Sequence, residues 1–433
     1  MTKVRLFRMG SLIVLAQLVI AALGILGMRL FTDLMTPEAF GESSLVLSAL
    51  ALGLQLFVAG FTAAQLRFHS EAEALGNGDA FTRETMNLAL RATALLAGTL
   101  LLALIPLRAY RDVSYSVAIV ASGIAWLFMM TVRNVMMSRI QAQRRQSLYA
   151  GLQVAEGVLI FAATILALRI LPSVGSFLIG QTIGITLLVA IILGIGAGKL
   201  GVLNGPGSPR RTFGARAWAY GAPFAPMSFL SWLANMGDRY TLAALLGAGP
   251  AGRYVAPFSI ASRGMLLVNA ALCDLFRPLL FDAENRHDQK AARQAFIRWV
   301  LSSLALSSVG FVVIYLGGSV IARLLLAPAY RAGAVDIMLW VSLGYTISGV
   351  TQVVETRLMS LGYSARLLLP MALGAVANIG FSIILVRSNG IVGAAQATCA
   401  SFLFQNLTTV VFLLHAQRKR RGLNAPRSHI EPA

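Results

Sequence analysis

Long, nearly unbroken apolar stretches alternate along this chain with short polar connections. Scanning for the roughly 20 apolar residues needed to cross a bilayer finds about twelve runs, near 10–30, 43–66, 88–107, 114–136, 149–169 and 175–197, then 219–246, 253–275, 297–317, 334–355, 367–386 and 391–414. The pattern predicts an all-α integral membrane protein with about twelve transmembrane helices. The first run is too long for a signal-peptide core and has no small-residue cleavage site, so it is expected to remain as the first helix. The seventh run is the longest of the middle set and is expected to tilt or break near Gly237.

Between the sixth and seventh runs lies a stretch rich in glycine, proline and serine, 198–212, with GVLNGPGSPRR at its centre. It predicts a hinge between two halves: an N-terminal lobe, 1–205, with helices one to six, and a C-terminal lobe, 206–433, with helices seven to twelve and a basic tail. Gly41, Ser48 and Gly53 recur at the same spacing as Gly252, Ser259 and Gly264, and Arg29 and Arg239 precede them at similar positions. This is the mark of a six-plus-six repeat.

Hydrophobic residues make up 57% of the 433 and charged residues only 12%, about half the charged share of a soluble domain. The net charge of +19 is spread in clusters between apolar runs rather than along one basic face, so nucleic acid is not the expected partner. Arg139, Arg144 and Arg145, then Arg210, Arg211 and Arg216, and finally Arg418 to Arg421 fall on one side of the predicted topology, which puts both termini in the cytoplasm. The same clusters suit anionic lipid headgroups. Cys273 and Cys399 lie in or beside apolar runs without a CxxC or a partner His, so neither metal nor disulfide is expected. No GxxxxGK[ST] loop occurs and no connection reaches domain size, which excludes an appended nucleotide-hydrolysing module, and no cofactor is expected.

Several segments together resemble the bacterial polysaccharide and oligosaccharide flippases. After the first helix, RLFTDLMTPEAFGESSLVLSAL carries a Pro-Glu-x-x-Gly turn, and AAQLRFHSEAE closes the second helix with an Arg. In the second half, AYGAPFAPMSFLSWLANMGDRYTLAALLGAGPAGRYVAPFSIASRG holds an Asp-Arg pair, Asp238 and Arg239, followed by a Gly-x-Tyr element at Gly252 and Tyr254. LLLAPAYRAGAV and ANIGFSIILVRSNGIVGAAQATCASF, with Asn378, extend the likeness towards the C-terminus. One departure is Gly41-Glu42-Ser43, where the family's first repeat usually has an aromatic after the glycine. These flippases belong to the multidrug/oligosaccharidyl-lipid/polysaccharide exporter superfamily. The resemblance implies two six-helix lobes around a central cavity, a location in the bacterial inner membrane, and undecaprenyl-diphosphate oligosaccharide as cargo for surface polysaccharides such as lipopolysaccharide or exopolysaccharide. Its expected partners are that lipid-linked oligosaccharide, membrane lipids, and the polymerase and glycosyltransferases of the same pathway.

Ionisable residues at membrane depth cost roughly 3 kcal/mol or more by insertion scales and so face a cavity or a partner. Arginine's fork of donors matches phosphate oxygens, and the candidates for a diphosphate are, in order, Arg239, Arg263, Arg29 and Arg133, with Asp238 and Asn378 beside them. For each arginine the competing reading is snorkelling to headgroups or pairing with an acid. Glu156, the most deeply placed carboxylate, is the candidate for ion coupling, against a helix–helix hydrogen bond. Gln153, Gln181, Gln396, Gln405, Asn269 and Asn378 are candidates for a sugar path, although such amides also bond between helices. Pro223 and Pro226 are placed to open the seventh helix. The expected function is therefore a transporter, not an enzyme: a flippase working by alternating access. Two rivals stay open, a cation-coupled multidrug exporter of the same superfamily and a membrane-embedded glycan polymerase.

Overall fold

A computed structural model describes residues 3–110, 117–195, 212–222 and 224–424. Among them all regular structure is helical. The glycine- and proline-rich linker lies outside the described residues apart from Thr212, which begins α8. The order is α1 Lys3–Leu34, α2 Pro37–Phe57, α3 Ala59–Ala74, α4 Gly78–Tyr110, α5 Val117–Ala142, α6 Gln146–Ile170, α7 Val174–Gly194, α8 Thr212–Gly221, α9 Phe224–Leu246, α10 Ala248–Asn285, α11 Gln289–Leu325, α12 Ala334–Ser360 and α13 Leu368–Asn424. Ten candidate spans among the described residues are long and apolar enough to cross a membrane, and the chain is a multi-pass membrane protein.

Four of the predicted runs are subdivided or fused. The second is α2 and α3, which bend at Val58 while the Val58 amide still donates to Leu54 O at 2.8 Å. The seventh is α8 and α9, interrupted between Gly221 and Phe224. The break expected near Gly237 is absent, because α9 runs unbroken through that residue. Proline at 223 has no N–H to give, whereas a glycine is tolerated inside a packed helix. The last two runs are both in α13, folded back at Gly390, whose φ of 58° and ψ of −134° fall in a region open mainly to glycine.

Helix starts follow local chemistry. Thr36 caps α2 by accepting from the Ala39 amide at 3.3 Å, Pro37 opens the helix, and Glu38 sits in its positive first turn. The Pro-Glu-x-x-Gly element is thus a helix-entry device. Ser173 does the same for α7 through the Ser176 amide at 3.2 Å.

The chain forms two compact units. Unit 1 comprises Met1–Trp232, Ala248–Gly252 and Leu325–Ala329. Its core joins Leu50, Leu54, Val58, Phe61, Trp126, Leu127, Ile185 and Leu188. The helices α6 and α7 pack tightly because Gly180 and Gly184 face the α6 backbone: a Cβ at Gly184 would stand 2.5 Å from Ile160 Cα. This is the small-xxx-small packing of membrane helices. Opposite that seam, Ile179, Ile183, Leu187 and Ile191 form an exposed stripe four residues apart, a face suited to lipid. Gly41 and Gly252, equivalent in the sequence repeat, each lie five residues into their helices and meet face to face. A Cβ on Gly41 would come 2.8 Å from Gly252 N, and one on Gly252 would come 2.9 Å from Gly41 N. The contact is reciprocal, as a local two-fold axis requires.

Unit 2 comprises Leu233–Gly247, Arg253–Leu324 and Tyr330–Ala433. Leu272, Leu280, Trp299 and Val353 form one apolar cluster, and Val354, Leu358, Leu367 and Leu413 another. Leu301, Val309, Val312, Leu316 and Val320 of α11 face outward.

Candidate functional site

The polar candidates fall into separate groups. In unit 1, Arg29 near the end of α1 is committed twice: its Nε pairs with Asp33 at 2.9 Å and its Nη1 donates to Leu326 O at 2.6 Å. Thr32, one turn on, accepts from the Ala327 amide at 3.1 Å. These bonds fasten α1 to the Leu325–Ala329 segment. Arg133 on α5 is brought to Glu156 on α6, with Nε at 3.0 Å and a second, shorter bond from Nη2 to the same Oε2, while Nη1 donates to Asn134 Oδ1 at 3.0 Å. The proposed anion holder and the proposed coupling carboxylate are therefore one ion pair. It adjoins a cavity of about 250 Å³ lined by Gln55, Thr62, Arg133, Asn134, Gln141 and Tyr149, among others.

At the foot of α3, outside the predicted spans, His69 is buried and contacts Gln65 and Glu73. Burial lowers its pKa from the ordinary 6.5, with Glu73 and Asp79 opposing the shift and Arg139 adding to it.

In unit 2, α9, α10 and the second arm of α13 converge on Asp238, which is 1% exposed. Its Oδ1 accepts from the Arg239 amide at 2.8 Å, and its Oδ2 accepts from Thr398 Oγ1 at 2.9 Å and from the Tyr254 hydroxyl. Three donors from three helices thus close around one buried carboxylate. Arg239 does not close on that carboxylate through its side chain: its guanidinium lies 4.7 Å above the Phe258 ring, a cation–π contact. Asn378 donates to Ser401 at 3.2 Å, and its Oδ1, which has no hydrogen-bond partner, lies where Gly237 leaves room, 3.1 Å from the position of an added Cβ.

Arg263, two turns further along α10 than Ala256, is exposed and has no acidic partner among the described residues; the charge it feels is that of Arg239. Of the four candidate arginines, Arg239 and Arg263 are thus the two not neutralised by a side-chain ion pair, whereas Arg29 and Arg133 are each paired with an acid. Thr398 and Ser401 were not legible as site residues, because a hydroxyl in an apolar helix carries no signal until its partner is known. Among the described residues no group of three or more His, Cys, Asp and Glu side chains gathers as a metal centre would.

The chain thus combines membrane-spanning helices in two units with buried polar clusters in each. Solved structures share this fold. An inward-facing multidrug resistance MATE family transporter of the MOP superfamily is 15% identical, with a TM-score of 0.72 over 96% of this chain and 100% of that one. The lipid II flippase MurJ in an inward closed conformation is 14% identical, with a TM-score of 0.70 over 93% of this chain and 87% of that one. A mutant of the Vibrio cholerae MATE transporter VcmN is 15% identical, with a TM-score of 0.63 over 96% of each chain. At these identities the likeness establishes the fold. No curated protein matches the chain by sequence. The model of the polysaccharide biosynthesis protein family matches residues 6–284, and the chain belongs to that family.

Proposed function

We propose that this protein is a flippase that carries undecaprenyl-diphosphate-linked oligosaccharide across the bacterial inner membrane for surface polysaccharide synthesis. The two lobes, 1–205 and 206–433, alternate in exposing a cavity to the cytoplasm and to the outer face, with both termini cytoplasmic. The cargo's lipid tail stays in the bilayer while its headgroup passes through protein. Membership of the polysaccharide biosynthesis family supports this cargo, and the observation that carries the site is the pair Arg239 and Arg263. Two cations in one unit, one on an aromatic face and one without an acidic partner, form an electrostatic trap for a diphosphate. Asp238 and Asn378 position this region, and the Arg133–Glu156 pair is the proposed element for ion coupling.

A second reading, a cation-coupled multidrug exporter, draws support from the likeness to MATE structures. One experiment separates them. In proteoliposomes, a flippase moves a fluorescent undecaprenyl-diphosphate oligosaccharide, and Arg239→Gln and Arg263→Gln each slow it at least tenfold. Cells lacking the protein accumulate cytoplasm-facing lipid-linked units. Drug efflux with no glycan phenotype, or unchanged flipping in both variants, overturns the proposal.

A further inference from the structure

Unit 2 contains a second polar cavity that the diphosphate reading does not use. It measures about 260 Å³ and lies between α10, α12 and α13, lined by Leu266, Asn269, Ser348, Thr351, Gln352, Glu355, Phe402 and Gln405, among others. That space exceeds by far the roughly 30 Å³ share of one water and falls just short of the roughly 300–1,000 Å³ of drug-sized ligand sites.

Its walls carry several polar side chains. Asn269 is 6% exposed; its Nδ2 donates to Tyr345 O at 3.3 Å, leaving its Oδ1 without a partner. Gln405 donates from Nε2 to Glu355 Oε1 at 3.2 Å. Glu355 has no basic partner among the described residues, since the nearby Arg357 pairs with Glu284. Both amides rest on glycines: a Cβ at Gly349 would stand 2.5 Å from Asn269 Oδ1, and one at Gly374 would stand 2.8 Å from Gln405 Oε1.

We infer that this cavity is a subsite for one pyranose ring of the cargo, an inference that rests on the flippase reading. An acceptor at Glu355, amide groups at Gln352 and Gln405, the Ser348 hydroxyl and one aromatic face at Phe402 line the space and match a ring bearing several hydroxyls. A dehydrated cation fills only a small part of such a space, and the amide N–H groups repel it. Arg263 stands three residues before Leu266 and seven before Ala270, on the same face of α10. The rise from Arg263 to Asn269 is about 9 Å, the scale on which a sugar follows its diphosphate.

The test uses the full chain in lipid nanodiscs and saturation-transfer NMR with methyl glycosides of glucose, galactose, mannose and N-acetylglucosamine. At least one binds saturably, Glu355→Gln weakens it at least tenfold, and Gln352→Ala, a milder change, weakens it severalfold. Arg263→Gln leaves glycoside binding intact but weakens undecaprenyl diphosphate lacking sugar, which Glu355→Gln does not affect. If no glycoside binds, or Glu355→Gln and Gln352→Ala both bind like the native chain, the subsite is refuted even where the sugar-free lipid still binds. Glycoside binding with no affinity for the diphosphate lipid instead overturns the flippase reading and leaves the subsite standing.

Discussion

Adding one methyl group at Gly252 tests the crossing of α2 and α10. In Gly252→Ala the new Cβ lies 2.9 Å from both Gly41 N and the Pro37 carbonyl carbon, and nearer still to Pro37 O, whereas ordinary contact begins at 3.4 Å. These obstacles are backbone atoms of the first turns of α2, so no side-chain rotation relieves them; the two helices must move apart. Overpacking costs about 1–3 kcal/mol, and a backbone obstacle puts this case at about 2–3 kcal/mol. Two other glycines grade the argument. A Cβ at Gly53 meets the tip of Leu96 at 2.6 Å, which can turn to another rotamer at a cost of about 1 kcal/mol. A Cβ at Gly264, further along α10 itself, meets nothing within 4 Å, and alanine there gains up to about 1 kcal/mol of helix propensity. The assay is thermal unfolding of the full chain in nanodiscs. At about 2–4 °C per kcal/mol for a body of 150–250 residues, Gly252→Ala lowers Tm by roughly 4–12 °C and Gly53→Ala by at most about 4 °C. Gly264→Ala leaves Tm unchanged or raises it. Equal melting of Gly252→Ala and Gly264→Ala would refute the reasoning, and Gly41→Ala checks the same contact from its other side.

Arg133→Gln leaves Glu156, 13% exposed, without its cation, and destabilises the protein by about 3–5 kcal/mol. The double variant Arg133→Gln/Glu156→Gln recovers most of that loss, and a single variant as stable as the native chain disproves the coupling. Tyr254→Phe and Thr398→Val each withdraw a donor from Asp238 Oδ2 and cost about 1–3 kcal/mol. Because they serve one oxygen, a double-mutant cycle shows coupling; strict additivity contradicts the shared acceptor. His69 holds its neutral form in the folded protein, since burial lowers its pKa below 6.5. The unfolded chain therefore binds the proton more readily, so His69's contribution is complete above about pH 6.5 and is lost as pH falls through the lowered native value. In His69→Gln the slope of Tm against pH flattens over that acid range, and an unchanged slope removes His69 as its source.

Much of this protein was decided by its sequence. Apolar runs of spanning length fixed a helical membrane protein, because in hydrocarbon a backbone must satisfy its own hydrogen bonds. Thr36, Pro37 and Glu38 marked a helix start through chemistry local to three residues. The repeat of Gly41 as Gly252 was readable as spacing, but its purpose, two backbones in reciprocal contact, emerged only when distant turns were brought together. Arg29 and Arg133 ranked behind Arg239 and Arg263 as anion holders in the sequence, without their partners being known. Asp33 lies one helical turn from Arg29, a pairing local to the sequence, whereas only tertiary structure brings Glu156 to Arg133 from another helix. The same holds for Glu355, whose neighbours Asn269 and Gln405 come from helices far apart in the chain. A sequence states which polar groups must enter the membrane; which of them meet, and which are left free for a ligand, depends on contacts between helices that spacing alone does not encode.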